Sequence, residues 1–288
     1  MRARLLPVAS LSSLSKAPWV DTSRRPYIRG SDAFVPVRSG YAATHEIPER
    51  RRKGRGYQII GDIIAFHGHE PSPAEVDEVW SRERPRGIIW ITGHESELRT
   101  PAIRVISGEA GEVIHRESGL SYLLDVRTVM FSQGNRSEKS RVSGQVRPGE
   151  RTCDMFAGIG YFTLGLARAG ALVHAIEINP VSFQYLVKNG QMNHLTRHIR
   201  AVCGDCRYRI SGVYGRIHMG HFDAVSFLPA ALPHSSSGTV LHVHMIGDRS
   251  AEIERVLQHL GYQAGIEVHR VKKTGPGTWH LVADVVIE

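Results

Sequence analysis

The stretch "CDMFAGIGYFTLGLARAGALVHAIEINP", Cys153 to Pro180, decides the fold class. It starts as a short strand, turns through glycines, continues as an apolar helix and ends in a second strand that closes on an acid. This order is typical of a parallel strand–helix–strand unit. Gly158 and Gly160 let the backbone bend and let a ligand come close. The stretch therefore predicts a binding turn at the carboxyl end of a strand.

The segments that follow repeat the alternation. "PVSFQYLVKNGQMN" and "SAEIERVLQHLG" predict helices, whereas "IRAVCGD", "FDAVSFLP" and "TVLHVHMI" predict strands. The last two strands, "AGIEVHRVKKTG" and "HLVADVVIE", predict an antiparallel hairpin at one edge. The predicted fold class is α/β, a Rossmann-type mostly parallel sheet with helices on both faces.

A small α+β domain is predicted before this sheet. "YQIIGDIIAF" reads as a strand with a glycine break, and "GIIWITG", "PAIRVISGE" and "EVIHRESGLSYLLDV" read as further strands. Ser72 and Glu75 form the pattern of a capping box that opens a helix. We expect three segments: a basic segment over 1–55, an α+β domain over 56–130 and the Rossmann-type domain over 131–288. The first of them shows little hydrophobic periodicity.

The charge points to an anionic partner. The 288 residues carry a formal charge of +8 with a pI near 9.6, which favours nucleic acid, although a basic soluble enzyme is the alternative. The run "ERRRKGRG" concentrates positive charge in Arg50, Arg51, Arg52 and Lys53. Such a run is either a solvated linker or an arm that contacts phosphates.

Other function classes lose support. The three cysteines include one pair, Cys203 and Cys206, in "CGDC", and a zinc site needs about four ligands, so we expect neither a disulfide framework nor a metal. His242 and His244 lie two apart on a predicted strand with no third ligand apparent. No apolar run reaches about 18 residues, so we expect no membrane span. We interpret "MRARLLPVASLSSL", which Pro7 interrupts, as a cytoplasmic N-terminus.

Two acidic residues restrict the class of ligand that the turn can bind. Glu177 closes the second strand, where a carboxylate accepts from both ribose hydroxyls, and Asp205 closes the third, where an acid accepts from an adenine amino group. Thr163 occupies the place of the last glycine in a G-x-G-x-x-G fingerprint, which disfavours a dinucleotide. An adenosine-containing ligand without a diphosphate, S-adenosylmethionine, fits best. The alternative is that both acids are helix N-caps or surface residues.

At this point the sequence resembles a known group of enzymes. "DMFAGIGYFTL" and "AIEINP" are similar to the class I S-adenosylmethionine-dependent fold of the enzymes that modify guanine-37 of tRNA. Two sister families share that core: the tRNA guanine N1-methyltransferases of archaea and eukaryotes, and the aminocarboxypropyltransferases of tRNA wybutosine synthesis. The resemblance covers roughly 57–288 and includes the small domain.

Two segments favour the second sister. "MFSQGNRSEKSRV", Met130 to Val142, resembles the pattern of the aminocarboxypropyltransferases, and "SFLPAALPHSSSGTVLHVHM" lacks the asparagine of the methyltransferase "NLP" loop. The resemblance implies transfer of a 3-amino-3-carboxypropyl group to a tricyclic guanosine derivative in phenylalanine tRNA. The alternatives are the N1-methyltransferase and a non-catalytic RNA-binding protein with a degenerate cofactor fold.

The resemblance also implies site residues. Lys139 or Arg136 would hold the carboxylate of the methionine part, and otherwise Lys139 is a solvated helix residue. No acid–base residue is assigned, because positioning decides which carbon is transferred. The implied partner is the anticodon region of phenylalanine tRNA, bound by a monomer. The expected cofactor-binding residues are Ser132, Lys139, Phe156, Gly158, Gly160, Glu177, Asp205 and Cys206. The expected RNA or substrate residues are Arg50, Arg51, Arg52, Lys53, Arg136, Tyr161 and Pro229.

Overall fold

The architecture comes from a computed structural model of the chain. The structure describes residues 2–14, 17–22, 24, 26–47, 56–95, 100–131, 133–275 and 277–288. The chain divides into two compact units, Met1–Gly56 and Tyr57–Glu288. None of the helices within those described ranges is long and apolar enough to cross a membrane.

The first unit contains a small antiparallel sheet that the sequence did not predict. Its strands are β1 (Arg2–Pro7), β2 (Tyr27–Arg29), β3 (Asp32–Pro36) and β4 (His45–Glu46), in the order β2-β3-β1-β4. A short 3-10 helix, Val8–Ser13, follows β1. Ala33 and Val35 of β3 are buried with Val20, which gives the unit an apolar core of its own.

The second unit begins with the predicted α+β region. Strands β5 (Tyr57–Ile60), β6 (Ile63–His67), β7 (Gly87–Glu95) and β8 (Thr100–Gly108) form one sheet in that order, in which β6 and β7 are parallel. Helix α1 (Pro73–Glu83) connects β6 to β7. The predicted capping box is confirmed, since Ser72 accepts from the Glu75 backbone N–H while the Glu75 carboxylate accepts from Ser72.

A hairpin and a helix lead to the large sheet. Strands β9 (Glu112–Glu117) and β10 (Leu120–Asp125) pair antiparallel, and α2 (Arg136–Gly144) follows them. The residues of β10 lie in one continuous apolar core with residues of the α/β part, such as Tyr122 with Leu164 and Leu186. The domain boundary predicted after residue 130 stays a prediction.

The large sheet has seven strands in the order β13-β12-β11-β14-β15-β17-β16. The first five strands in this order are parallel, and β16 and β17 form the predicted antiparallel hairpin at the edge. The α/β Rossmann-type fold is therefore confirmed. Its strands are β11 (Arg151–Asp154), β12 (Leu172–Glu177), β13 (Ile199–Cys203), β14 (Arg216–Met219), β15 (Val240–Ile246), β16 (Ala264–Gly275) and β17 (Thr278–Ile287). Its helices are α3 (Thr163–Arg168), α4 (Pro180–Met192), α5 (Cys206–Arg209), α6 (Leu228–Ala231) and α7 (Ser250–His259).

The prediction of a strand over "FDAVSFLP" is wrong. The fourth parallel strand is β14, and the predicted segment instead forms a 3-10 helix, Ala224–Phe227, that runs into α6. A short apolar run does not distinguish a buried strand from a buried helix turn. Pro229 lies in the first turn of α6, where its missing N–H costs nothing, rather than in a loop after the fourth strand.

Candidate functional site

The glycine turn follows β11 at the carboxyl edge of the sheet. Gly158 has φ +56° and Gly160 has φ +101°, backbone conformations that residues with a Cβ rarely adopt. A Cβ at Gly160 would also lie 3.0 Å from Cγ of Leu164. The two glycines that the sequence singled out are thus required by the shape of the turn.

Glu177 ends β12 and faces this turn. Its Oε2 accepts the Gly158 backbone N–H at 2.7 Å, and its Oε1 accepts that of Asn179 at 2.8 Å. Burial raises the pKa of the Glu177 carboxyl, and these backbone donors oppose that shift. A carboxylate has about four acceptor positions, so two backbone bonds leave capacity for ribose hydroxyls. The arrangement fits the ligand that the sequence predicted.

Asp205 follows β13 and acts as the N-cap of α5. Its Oδ1 accepts the Arg207 backbone N–H at 2.9 Å, and the Arg207 guanidinium holds the pKa of Asp205 below its ordinary value. The cap that we considered as the alternative is therefore present at Asp205, whereas Glu177 is not a cap. Cys206 is buried, which raises the pKa of its thiol to about 12.

Asn189 of α4 and Asn193, the residue that follows this helix, attach the hairpin to the site. Asn189 is fully buried and donates to the carbonyl of Leu123 at 3.1 Å and to that of Ile159 at 2.9 Å, while it accepts the Leu123 N–H at 2.7 Å. Asn193 pairs in the same way with Ser121. Because Ile159 lies inside the glycine turn, Asn189 fixes the turn and β10 together. The sequence analysis missed this contact.

The loop after β14 lies beside the turn. Phe156 stacks on His221 of this loop with ring centroids 5.3 Å apart and meets the Phe227 ring edge-on at 5.0 Å. The Tyr161 hydroxyl donates to the carbonyl of Met130, and its ring lies 5.9 Å from that of Phe131. Tyr161 thus joins the turn to the start of the "MFSQGN" segment.

Lys139 is not a solvated lysine. Its ammonium forms an ion pair with Glu117 of β9, both side chains are buried, and the Tyr122 and Phe131 rings flank the nitrogen at 5.5 and 5.3 Å. Burial lowers the pKa of Lys139, and Glu117 counteracts this effect. Arg136 Nε lies 3.5 Å from the same carboxylate. Two cations therefore share one buried carboxylate, a partner that the sequence analysis did not identify.

A row of buried imidazoles crosses the sheet below the turn. Asp154 Oδ1 lies 3.2 Å from His218 Nδ1, His218 Nε2 lies 3.1 Å from His244 Nε2, and His244 Nδ1 lies 2.9 Å from His280 Nε2. The His280 ring meets Phe222 of the loop after β14 at 5.0 Å. The row links the acid at the end of β11 to that loop. Sequence reasoning noticed His244 but not its neighbours on β14 and β17.

A second buried network lies beside this row. Arg141 of α2 contacts Glu138 and Asp284, and Asp284 Oδ1 lies 2.6 Å from His242 Nδ1. These contacts join α2, which carries part of the "GNRSEKSR" segment, to β15 and β17. They hold the pKa of Asp284 far below its ordinary value, despite burial that acts in the opposite direction.

Several predicted residues lie outside the described residues, namely Ser132, Arg50, Arg51, Arg52 and Lys53. Pro229 is exposed on α6. Within the described part of the chain, no group of at least three His, Cys, Asp or Glu side chains could hold a metal ion. All three cysteines are free thiols.

Comparison with known proteins places this site in context. Residues 113–271 match the family described as "TRM5/TYW2 methyltransferase domain". A curated relative from Methanocaldococcus jannaschii, named tRNA(Phe) (4-demethylwyosine(37)-C(7)) aminocarboxypropyltransferase, is 34% identical over 82% of this chain and 99% of its own length.

Solved structures show the same likeness. The TYW2 of P. horikoshii in complex with MeSAdo is 26% identical, has a TM-score of 0.70 and covers 80% of this chain and 90% of its own. Trm5b from Pyrococcus abyssi, at 24% identity and a TM-score of 0.73, covers 99% of both chains. The second likeness concerns the fold alone, and its coverage includes the N-terminal unit.

Proposed function

The chain belongs to the TRM5/TYW2 methyltransferase-domain family, and from this premise we propose that it is an aminocarboxypropyltransferase acting on tRNA. It transfers the 3-amino-3-carboxypropyl group of S-adenosylmethionine to a tricyclic guanosine derivative at position 37 of phenylalanine tRNA. The observation that carries the proposal is the relative of that activity, which is 34% identical along 99% of its length.

The reaction is a displacement at carbon. S-adenosylmethionine supplies a sulfonium whose three carbon substituents are all electrophilic. A bond forms between the base carbon and the first carbon of the aminocarboxypropyl chain, and the bond from that carbon to sulfur breaks with its electron pair going to sulfur. The base carbon then releases its proton to water. Because the in-line carbon is the one transferred, the protein contributes mainly orientation.

The nucleoside half would be held at the edge of the sheet. Gly158 and Gly160 allow the close approach, and Glu177 accepts from the ribose hydroxyls through its remaining lone pairs. Asp205 and buried Cys206 would face the adenine, where the backbone N–H of Cys206 would supply a donor in place of its thiol. Phe156 would cover the adenine base with its ring.

The methionine half would be held by the cations around Glu117. Lys139 and Arg136 carry two positive charges against one carboxylate, so a second carboxylate can enter without leaving the group with excess negative charge. We propose that the methionine carboxylate pairs with Lys139, together with Ser132 of the same segment. Holding the carboxylate there would rotate the methionine part of S-adenosylmethionine. The rotated cofactor would present its aminocarboxypropyl carbon, rather than its methyl carbon, to the base.

The remaining assignments concern tRNA. Tyr161 and Pro229 are proposed contacts of the target nucleotide, and Arg50, Arg51, Arg52 and Lys53 are proposed contacts of backbone phosphates near the anticodon. We propose that the enzyme acts as a monomer in the cytoplasm without a metal.

Double labelling tests the activity. Precursor-bearing phenylalanine tRNA is incubated with S-adenosylmethionine labelled on the methyl carbon or on the methionine carboxyl carbon. We expect only the carboxyl label to enter tRNA. Entry of the methyl label alone would establish the N1-methyltransferase activity instead, and an unmodified-guanosine tRNA serves as the control. If neither label enters although S-adenosylmethionine binds, the enzyme proposal fails for this substrate.

A further inference from the structure

A basic cavity opens at the amino ends of the parallel strands, whereas the glycine turn lies at their carboxyl ends. Its volume is about 280 Å³, and it lies where β11, β12 and β13 begin. The residues that line it are Arg151, Leu172, Val173, His174, Arg197, His198, Ile199, Arg200, Ser211 and Tyr214. None of these lining residues is acidic. Since β11, β12 and β13 end at the proposed cofactor site, this cavity is a separate place on the molecule.

The strand register explains why the cations meet. Cys153 of β11 pairs with His174 of β12, which in turn pairs with Arg200 of β13, so these three side chains lie on one face of the sheet. Arg151, two residues before Cys153, shares that face. Arg197 comes from the 3-10 helix, Thr196–His198, that precedes β13.

No carboxylate among the described residues pairs with Arg151, Arg197 or Arg200. Each arginine is exposed, and none of them forms an ion pair with any residue in the described ranges. The guanidinium carbon of Arg151 lies 5.7 Å from the centroid of the Tyr214 ring. Arg141, Arg207 and Arg216, by contrast, are paired with acids. A cavity with unneutralised guanidinium groups attracts a compact anion, and guanidinium forks match phosphate oxygens.

His174 supplies an independent sign of a ligand. It is buried, and its Nε2 has no hydrogen-bond partner among the described residues. The Tyr214 hydroxyl must donate to the Ser211 carbonyl, which only accepts, so the hydroxyl oxygen accepts from His174 Nδ1–H at 2.6 Å. In the neutral imidazole Nε2 therefore carries a lone pair, and it becomes a donor only when His174 is protonated.

The surroundings of His174 disfavour its protonated form. Burial lowers the pKa of His174, and the charges of Arg200, Arg151 and His234 lower it further. The other ionisable groups nearby are Arg197 and His198 of the cavity lining, the Cys153 thiol of β11 and the Tyr214 phenol. Burial raises the pKa of the Tyr214 phenol. An anion in the cavity would offset the arginine charges and would accept from Nε2–H. Anion binding and protonation of His174 should therefore reinforce each other.

We propose that this cavity is a phosphoryl-anion site, formed by Arg151, Arg197 and Arg200 with His174 as its buried donor. The chemistry is shared by a backbone phosphodiester of tRNA and by a free phosphate ester. The two sources differ in one respect: a phosphodiester has no proton to donate, so it requires protonated His174, whereas a phosphate bearing a hydroxyl can also donate to the neutral Nε2.

The first test measures anion binding alone, without cofactor or tRNA, so that it is independent of the proposed transferase activity. Dimethyl phosphate and inorganic phosphate are titrated while the imidazole nitrogen signals of His174 are followed by NMR. We expect both anions to shift these signals and to raise the pKa of His174, with dimethyl phosphate binding more tightly at pH 5.5 than at pH 8 (values that bracket, by roughly one unit or more, an ordinary histidine pKa).

Variants assign the site. Arg200→Gln should weaken dimethyl phosphate binding about tenfold. Arg255→Gln, which changes an exposed α7 arginine elsewhere, should have no effect. His174→Asn keeps a donor near the Tyr214 hydroxyl but removes Nε2, so it should make dimethyl phosphate binding clearly less dependent on pH. If neither anion shifts the His174 signals, or if Arg255→Gln weakens binding as much as Arg200→Gln, the site is refuted.

A second measurement separates the two sources. The tRNA affinity of Arg151→Gln/Arg200→Gln is compared with that of Arg116→Gln/Arg255→Gln across salt concentrations. A weaker affinity and a salt slope reduced by about 1 to 2 only in the cavity variant would support a tRNA phosphodiester as the occupant. Equal tRNA affinities with retained phosphate binding in the wild type would support a free phosphate ester. If the wild-type protein binds the anions as expected but transfers no label to tRNA, the proposed transferase function fails and the anion site stands.

Discussion

Glu177 Oε2 accepts a hydrogen bond of 2.7 Å from the backbone N–H of Gly158. This bond connects the end of β12 to the turn after β11, so the carboxylate that would bind a ribose is already oriented by the turn that would receive the nucleoside. Preorganisation of this kind reduces the ordering cost of binding.

We therefore expect Glu177→Gln to raise the dissociation constant of S-adenosylmethionine by about tenfold or more, since a carboxylate accepts two hydroxyl donors and an amide oxygen only part of this set. Isothermal titration calorimetry measures the change. Glu254→Gln, an exposed change on α7, is the matched control. Equal affinities for both variants would remove Glu177 from the site.

Lys139 gives a prediction that distinguishes the two halves of the cofactor. Lys139→Ala should raise the dissociation constant of S-adenosylmethionine about tenfold but leave that of methylthioadenosine unchanged, because methylthioadenosine has no methionine carboxylate. Comparing the two ligands by calorimetry checks this expectation.

Loss of Lys139 also leaves the buried Glu117 carboxylate with Arg136 as its remaining cation, which lowers the free energy of unfolding. The double variant Lys139→Ala/Glu117→Gln should recover stability without recovering S-adenosylmethionine affinity. An equal loss of affinity for both ligands would show that Lys139 acts through the fold rather than through the carboxylate.

The buried histidines predict sensitivity to acid. Burial lowers the pKa of His280 from 6.5 to about 4, and His242 and His244 are lowered as well. In the unfolded chain these imidazoles bind protons near pH 6.5, so the unfolded state gains protons first as the pH falls. The contribution of His280 to stability is therefore complete above pH 6.5 and is lost toward pH 4, amounting to roughly 3 kcal/mol.

Urea denaturation at several pH values measures this loss. His280→Gln removes one titrating group but retains an amide donor toward His244, so its free energy of unfolding should fall less steeply between pH 6.5 and pH 4 than that of the wild type. His259→Gln, a change in the exposed last turn of α7, should leave the slope unaltered. An unchanged slope in His280→Gln would show that His280 is not a source of the acid sensitivity.

Asn189 should be important for both stability and binding. Asn189→Leu leaves buried backbone groups of Leu123 and Ile159 without partners, which costs about 2 to 4 kcal/mol in the free energy of unfolding. Because Ile159 lies in the glycine turn, cofactor affinity should fall in parallel. Asn193→Leu, at the half-buried second contact, should cost less. Equal costs at the two positions would contradict a special role for Asn189.

The sequence by itself determined the local features. The strand–helix alternation, the glycines with positive φ, the capping box of Ser72 and Glu75, and the final hairpin all follow from periodicity and turn chemistry within a few residues. Those features, with the resemblance of "DMFAGIG" and "MFSQGN", were sufficient for the fold class and the cofactor. The strand predicted over "FDAVSFLP" was wrong because its apolar residues fit a buried helix turn as well as a strand.

Only the tertiary structure decided which distant side chains meet. The row from Asp154 to His280 consists of side chains from four strands. Lys139 of α2 pairs with Glu117 of β9. The basic cavity depends on the register of β11, β12 and β13. Hydrophobic periodicity indicates that a strand exists and which residues share its face. The order of strands in a sheet and their register depend instead on packing between segments far apart in the chain, and one sequence contains no local signal for these contacts.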